Sequence, residues 1–547
     1  MRGIAWQRRP EVAPEEAQRK DAEEVVRGSG VNFLGNFAKI SKSLYFLIVT
    51  RFVGAGGFGL YTLGWSLIDL VGKFGLFGLD RGVVRFVARH HSDGDAQAAH
   101  RTVGQALGMG LIASLIVTAL VWAAAPWAAA TVFHKPELSP ILRILSLTIP
   151  LMVVSSMLLA GIRALRIMRY EVYVKSIAEP LVLLVSGGTL CALGWTTRGL
   201  AFAYVFAAAF GLALAVRYFA RLFSPSRCIA EMSSLPLRSP LISFSAPIPF
   251  YDAIYNLMSR LDLFVLAMFL PASAVGVYAI TCEVAWVIKD IRQAVDPIFM
   301  PVASGLLHED QRARLSALLA SVARWILTLE LAYLMGMGLW GGAILSIFGP
   351  GFSAGFWSMI LLAVGYGVNG AFGSAEVLLM MAGRSGVNLI NTVFLVAVNL
   401  GLNLFLIPRH GIAGAALAAV ISLTLINLLR VVQARVILGV HPFRRSLLKP
   451  VCAAVPAFAV GLLLMRAPWS VLSVLALPLY FGLLRAFGME AEDTEMLEKL
   501  HRKVPLLRRW AAVWDRVGIH LRSSILMPLS SRRSNHSASD AGTHAAG

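Results

Sequence analysis

Charge is scarce in this sequence. Asp, Glu, Lys and Arg make up 14% of its 547 residues, where an ordinary soluble domain carries about 25%. With 57% apolar residues and a mean hydropathy of +0.70, this excludes an extended disordered chain, a fibre and a soluble multidomain enzyme. Cysteine is scarce too: Cys191, Cys228, Cys282 and Cys452 stand far apart, three of them inside apolar segments. They have neither metal-ligand spacing nor the pairing of a disulfide framework. Acid is the scarcer sign of charge, and the net formal charge is +19. In a soluble chain that excess would suggest nucleic acid. No arginine-rich tract with interleaved aromatics stands outside the apolar segments, so no nucleic-acid partner is expected. Standard catalytic signals are also missing: a phosphate-cradling Gly-Lys-Ser/Thr loop, paired His at metal spacing, a nucleophile-elbow Ser. The chain is read as not an enzyme, with no resident metal or cofactor. A coupling Na+ or H+ stays open.

What is abundant is apolar helix. At about 20 residues per crossing, the chain reads as a polytopic all-α membrane protein of about fourteen spans. They lie near 31–52, 58–80, 103–131, 140–162, 172–195, 199–222, 241–270, 274–303, 318–348, 355–382, 386–407, 412–436, 446–466 and 469–487. The N-terminal thirty residues carry acids throughout and no apolar core, unlike a cleavable signal peptide. Basic residues alternate between connections. The second carries Arg81, Arg85, Arg89 and Arg101, and the twelfth Arg430, Arg435, Arg444, Arg445 and Lys449. Odd connections hold one each or none. The positive-inside rule then puts both termini and the even connections in the cytoplasm.

An internal repeat is visible. FVGAGGFGLYTLGW and FLPASAVGVYAITC align Gly59 and Tyr61 with Gly276 and Tyr278, an offset of 217 residues. The stretch from Arg198 matches the one from His410 at an offset of 212. Equivalent positions six spans apart share orientation, which implies two pseudo-symmetric six-helix lobes. The expected layout is a cytoplasmic N-terminal segment 1–30, lobes 31–223 and 241–437 joined by linker 224–240, a helix pair 438–487, and a basic tail 488–547. The tail is amphipathic around Trp510 and Trp514, expected along the inner leaflet surface and disordered at its end.

Ionisable residues inside spans are expensive and are functional candidates by default. They cluster in spans one, two, seven and eight: Lys39 and Lys42; Asp69 and Lys73; Asp252, Arg260 and Asp262; Glu283. These are equivalent pairs of the two lobes, expected to line a hydrated polar cavity. Asp69 with Lys73 also reads as a plain i,i+4 bridge. Lys39 and Lys42 read either as a site for an anionic head group or as snorkelling side chains. Glu179, Glu330 and Glu376 are further candidates, either for proton or cation coupling or as carboxyls kept neutral by desolvation.

The segments beginning RFVGAGGFGLYTLGW and AGRSGVNLINTVFLVAVNLGLNLF, and RLDLFVLAMFLPASAVGVYAITCEVA, resemble bacterial polysaccharide-export flippases over roughly residues 30–450. Their superfamily also contains multidrug extruders and lipid II flippases. The resemblance implies two six-helix lobes around a cavity that opens inward and outward in turn. It implies transport of undecaprenyl-pyrophosphate-linked oligosaccharides out of the inner leaflet of the cytoplasmic membrane, for O-antigen, capsule or exopolysaccharide. It also implies membrane lipids, a polysaccharide polymerase and a co-polymerase as partners. The pyrophosphate would meet cations of helices one and seven, which in this sequence are Lys39, Lys42 and Arg260; Lys73 of helix two is a further candidate. Asp69, Asp252, Asp262, Glu283, Glu179, Glu330 and Glu376 are then the cavity or coupling acids. The runner-up is a cation-coupled multidrug or metabolite extruder, which commonly stops at twelve spans. Other classes are a membrane polymerase or ligase of polysaccharide assembly, which would need a larger external loop, and a scaffold, for which only the basic tail argues.

Overall fold

The structure, a computed structural model, describes residues 14–234, 240–309, 311–466, 468 and 470–487, with side chains from Ser41 onward except Ile298. The described residues are helical and contain no strand. In chain order the main helices are α1 Pro14–Leu76, α2 Leu79–Ser92, α3 Ala96–Trp127, α4 Leu138–Ser146, α5 Thr148–Ala164, α6 Glu179–Ala192 and α7 Thr197–Phe219. Then come α8 Ile248–Phe269, α9 Ala272–Ala285, α10 Val287–His308, α11 Arg312–Ile347, α12 Phe356–Phe372 and α13 Ser374–Met381. The last are α14 Ser385–Leu438, α15 Leu448–Arg466 and α16 Ala476–Ala486. Among the described residues ten helical stretches are long and apolar enough to cross a membrane, so the protein is multi-pass.

Two of those stretches hold a pair of expected spans each. The 63 residues of α1 are interrupted at Gly54, with φ 66° and ψ −178°. The 54 residues of α14 are interrupted at Gly411, with φ 60° and ψ −136°. Positive φ is open to glycine without steric cost, so the chain changes direction there without a loop. α8 is 22 residues long but carries Asp252, Arg260 and Asp262. The last apolar stretch, Ser470–Ala486, is shorter than a full crossing. Fourteen spans thus remain a reading of the sequence. The basic tail beyond Phe487 lies outside the described residues.

The chain divides into two compact units. Unit 1 comprises Met1–Val284, Ala343–Met359 and Val396–Ala419. Its core holds Val83, Val87, Val103, Leu138, Leu145, Ile149, Met157 and Leu200, all buried. Phe219 and Phe223 stack there with centroids 4.6 Å apart. Part of the expected second connection is the amphipathic helix α2. It buries Leu79, Val83 and Val87, while Arg81, Arg85 and Arg89 are exposed. Apolar residues at i, i+4 and i+8 explain the sidedness.

Unit 2 comprises Ala285–Gly342, Ile360–Leu395 and Val420–Gly547. Phe299, Leu315, Leu319, Ile326, Leu378 and Val431 form one core cluster. A second cluster seats α15 and α16 on α11 through Met335, Leu339, Ala457, Ala476 and Tyr480. Tyr480 donates to Thr328 O at 3.1 Å, and Trp340 Nε1 to Ser473 Oγ at 3.0 Å.

Within unit 1 the repeat meets itself. A Cβ on Gly59 would strike the Ala272 carbonyl oxygen and come within 2.7 Å of Gly276 N. A Cβ on Gly276 would strike the Ala55 carbonyl and come within 3.0 Å of Gly59 N. Ala55 and Gly59 are each 217 residues from their counterparts Ala272 and Gly276. α1 and α9 therefore cross backbone to backbone, each glycine facing the carbonyl of the other copy's alanine. Such an approach gains dispersion and Cα–H···O contacts, and it excludes any side chain. Gly59→Ala and Gly276→Ala should each cost about 1–3 kcal/mol despite alanine's better helix propensity. Because either methyl forces the same separation, the double variant should cost less than the sum. Thermal unfolding of the purified protein checks both statements, and a neutral single variant would break the account.

Candidate functional site

Two of the expected charged spans, the second and the seventh, meet in unit 1 as the α1–α8 pair, through residues spaced four apart. On α1 these are Trp65, Asp69 and Lys73; on α8 they are Asp252, Asn256 and Arg260. A spacing of four keeps each set on one helical face, and the two sets meet in reverse order. The Arg260 guanidinium lies 5.2 Å from the Trp65 ring centroid. Asn256 Nδ2 donates to one oxygen of Asp69, and Lys73 Nζ lies 3.0 Å from the other. Asp252 is reached by Arg81 of α2 at 2.8 Å, and Phe74 meets Phe250 edge-on at 5.7 Å. The bridge Asp69–Lys73 is therefore real and also belongs to an interhelical ladder.

Lys42 sits elsewhere on α1. Its ammonium contacts both carboxylate oxygens of Glu283 on α9, at 2.8 and 2.9 Å, and lies 5.1 Å from the Phe46 ring centroid. The side chain of Lys39 falls outside the described residues. Asp262 takes the Tyr278 hydroxyl and the Leu263 amide, the latter at 2.9 Å, so helix α9 holds it. Glu179 follows a π-helical turn, Val172–Ala178, and pairs with Lys175 at 2.6 Å. Gly211 of α7 leaves the space its carboxyl fills.

The last two acids lie in unit 2. Glu376 contacts Arg430 at 3.1 Å and Arg292 at 3.6 Å, and Arg292 also pairs with Asp296 at 3.1 Å. Glu330 is 2% exposed, and neither of its oxygens has a hydrogen-bond partner among the described residues. Among the described residues no group of three His, Cys, Asp or Glu could hold a metal ion. Trp65, Arg81 and Asn256 were absent from the sequence-derived set. The four-residue spacing shared by 65, 69, 73 and by 252, 256, 260 is the signal that points to Trp65 and Asn256.

Charges in this arrangement are available yet already occupied. Lys42, Lys73 and Arg81 keep 44%, 31% and 50% of their side-chain surface exposed, and each is matched to a carboxylate. An entering anion would take a cation from its carboxylate rather than fill an empty cation pocket. Exchange of one charge-assisted bond for another makes binding shallow and reversible.

Lys135 helps to hold α8. It is 9% exposed and donates to Phe133 O at 3.0 Å and to Ala267 O in the last turn of α8. There a cation suits the negative end of the helix dipole.

Comparison with known proteins follows this geometry. The family described as polysaccharide biosynthesis protein matches residues 25–293. The probable flippase AglR of Haloferax volcanii is 29% identical over 178 residues, 32% of this chain. The match spans 37% of that relative's length. Among solved structures, the lipid II flippase MurJ in an inward closed conformation superposes with a TM-score of 0.67. The identity is 11%, covering 84% of this chain and 98% of that one. An inward-facing multidrug resistance MATE family transporter of the MOP superfamily gives 0.55 at 15% identity, covering 74% and 94%. At such identities the likeness is one of fold.

Burial pushes the Lys135 ammonium below the usual lysine value of 10.5. Between that lowered value and 10.5 the unfolded chain binds more protons than the folded one, so stability rises with pH across this alkaline window. Lys135→Met should remove that rise and lower the melting temperature at neutral pH. Thermal melts of both proteins over pH 8 to about 10.5 test this. Parallel curves would count against it.

Proposed function

We propose that this chain, which belongs through residues 25–293 to the polysaccharide biosynthesis protein family, flips undecaprenyl-pyrophosphate-linked oligosaccharide repeat units. The direction is from the inner to the outer leaflet of the bacterial cytoplasmic membrane, for a surface polysaccharide such as O-antigen, capsule or exopolysaccharide. The coarser statement, a membrane flippase, stands on the family match and on a flippase relative. The finer one is supported by the unit 1 ladder, in which Lys73 and the Asn256 amide share the Asp69 carboxylate and Arg260 rests on the Trp65 ring, so that an entering anion can draw both cations away.

A diphosphate cannot enter hydrocarbon bare, because desolvating its charge without compensation is prohibitive. Lys39, Lys42, Lys73 and Arg260 would supply that compensation, as Glu283 and Asp69 give up their partners. The polyprenyl chain can stay in lipid while the sugar head crosses by alternating access between two lobes. The Trp65 ring, which Arg260 now covers, would be freed to meet a sugar face when that cation turns to phosphate. With both termini cytoplasmic, the membrane potential acts on each transferred charge with about 2.3 kcal/mol per 100 mV. A polymerase and co-polymerase would receive the cargo on the outer side.

The test is analysis of lipid-linked intermediates in a strain lacking the gene, with sidedness probed by impermeant reagents. The expected outcome is accumulation of an undecaprenyl-pyrophosphate oligosaccharide in the inner leaflet. Lys42→Ala or Arg260→Ala should fail to restore export, falling tenfold or more (roughly 1.4 kcal/mol or above in the limiting barrier), with normal membrane insertion. Normal intermediates in a strain without a second flippase would turn the reading to an extruder. Full activity of both variants would remove Lys42 and the ladder as the site.

A further inference from the structure

Unit 2 contains a carboxyl that the flipping reaction leaves unexplained. Glu330 lies in the middle of α11, is 2% exposed, and has two oxygens without a hydrogen-bond partner among the described residues. The neighbouring face of α12 is cleared for it. A Cβ on Gly370 would collide with its carboxyl, and one on Gly367 would lie 3.8 Å from Oε2. One turn on, Gly373 clears the same space for the Arg292 guanidinium, whose Cζ a Cβ would meet at 2.8 Å. Carboxyl and guanidinium thus rest on one glycine-lined strip, three residues apart.

The guanidiniums of Arg292 and Arg430 are matched without Glu330. Arg292 is engaged by Asp296 at 3.1 Å, by Glu376 at 3.6 Å and by the Asn369 carbonyl at 3.4 Å. Arg430 holds Glu376 at 3.1 Å. Two guanidiniums face two carboxylates. Further charged or titratable groups on the helices packed at this place are Arg324 and Tyr333 on α11, Lys289 and Asp290 on α10, and Tyr366 on α12, whose ring centroid lies 4.2 Å from Lys289 Nζ; each has partners of its own. An ionised Glu330 would add an unmatched buried charge with no donor to receive it, which is prohibitive in this setting. A metal ion fits poorly, since it needs several oxygen ligands and the facing strip is glycine beside a guanidinium.

We propose that Glu330 is a proton-binding site of unit 2, and that release of its proton draws Arg292 along the Gly367–Gly373 strip, away from Glu376. The step balances: the carboxylic O–H gives its proton to water, and the carboxylate left behind gains the guanidinium as counter-ion. Glu376 keeps Arg430. A proton is thereby exchanged for a change in which helices are tied together, α10 to α13 before and α10 to α11 after. Only the transport arm of the test below rests on the flippase reading.

Infrared difference spectroscopy of the purified full-length protein in lipid reads the proton directly. The wild type should give a deuterium-sensitive carboxylic-acid carbonyl band that disappears in Glu330→Gln and persists in Glu376→Gln. Should Glu330→Gln fail to insert, Glu330→Asp should retain the band at a shifted frequency. No band in the wild type, or one unaffected by both Glu330 variants, overturns the proposal. Loss of the band on deprotonation should be accompanied by a change in the guanidinium C–N stretching bands that is absent in Arg292→Met. Unchanged guanidinium bands overturn the exchange with Arg292. In the transport arm, Glu330→Gln should make export of lipid-linked cargo independent of the proton gradient. A persisting dependence overturns the coupling. An intact Glu330 band in a protein whose absence leaves lipid-linked intermediates normal would sink the flippase reading and keep the proton site. A missing band with intact flipping would do the reverse.

Discussion

A charge carried into hydrocarbon must find its counter-charge inside the protein, and this constraint organises both units. In unit 1 Asp69 is shared between Lys73 and Asn256, Asp252 takes Arg81, and Glu283 takes Lys42. In unit 2 Arg292 and Arg430 divide Asp296 and Glu376 between them. Bonds of this kind tie helices from distant parts of the chain. They set the register of α1 on α8 and bring α10, α13 and α14 together. An apolar interface alone would leave those registers loose, because lipid tails are as apolar as leucine. Removing one partner of such a pair costs more than the pair contributes, since a charge is then stranded. The same property makes the pairs usable. An incoming anion or a departing proton changes which partner is best.

The second organising contact contains no charge. Where α1 and α9 cross, the two copies of the repeat present the same residues to each other, alanine carbonyl to glycine Cα. A reciprocal contact between equivalent positions is what a two-fold relation between copies produces, as at an isologous interface. The chain interruptions agree with that relation. Gly54 lies 217 residues before Pro271, and Leu270 beside Pro271 has the extended dihedrals φ −118° and ψ 157°. One copy turns with a left-handed glycine and the other with a proline, two chemical solutions to one change of direction. A side-chain-free crossing also carries no interlocking side chains that would resist sliding of one helix on the other.

Much of the architecture was legible in the residues, and the part that was not has physical reasons. Long apolar runs with few charges leave helices across a membrane as the available structure, so the all-α polytopic reading holds. The repeat was readable from Gly59/Tyr61 and Gly276/Tyr278, although sequence could not say that the glycines touch. Helix count was harder, because Gly54 and Gly411 redirect a helix without the polar loop that would mark an end. Of the candidate residues, Asp69 with Lys73 could be paired from spacing alone. Lys42 with Glu283 spans 241 residues, and only tertiary structure joins them. Asp262 read as a cavity or coupling acid, and its partner is the Tyr278 hydroxyl, a neutral donor that charge counting overlooks. Asn256 and Trp65 escaped for the same reason: an amide and a ring carry no formal charge, but each supplies a rung of the ladder.

Glu330 and Glu376 looked alike in the sequence, each a lone acid in an apolar run, and the fold separates them completely. Glu376 is saturated by two guanidiniums, while Glu330 faces glycine. The difference lies in the opposite helix, where Gly367, Gly370 and Gly373 recur at three-residue spacing and offer shape without hydrogen bonds. A side chain at Gly370 or Gly373 would take the space of the carboxyl or the guanidinium. Their absence leaves a track along which charge can move by a few ångströms inside the unit. A membrane transporter has to couple small movements of charge to larger movements of helices. A glycine track between two alternative counter-ions for one arginine supplies the first half of that coupling, and the helices that share the arginine supply the second.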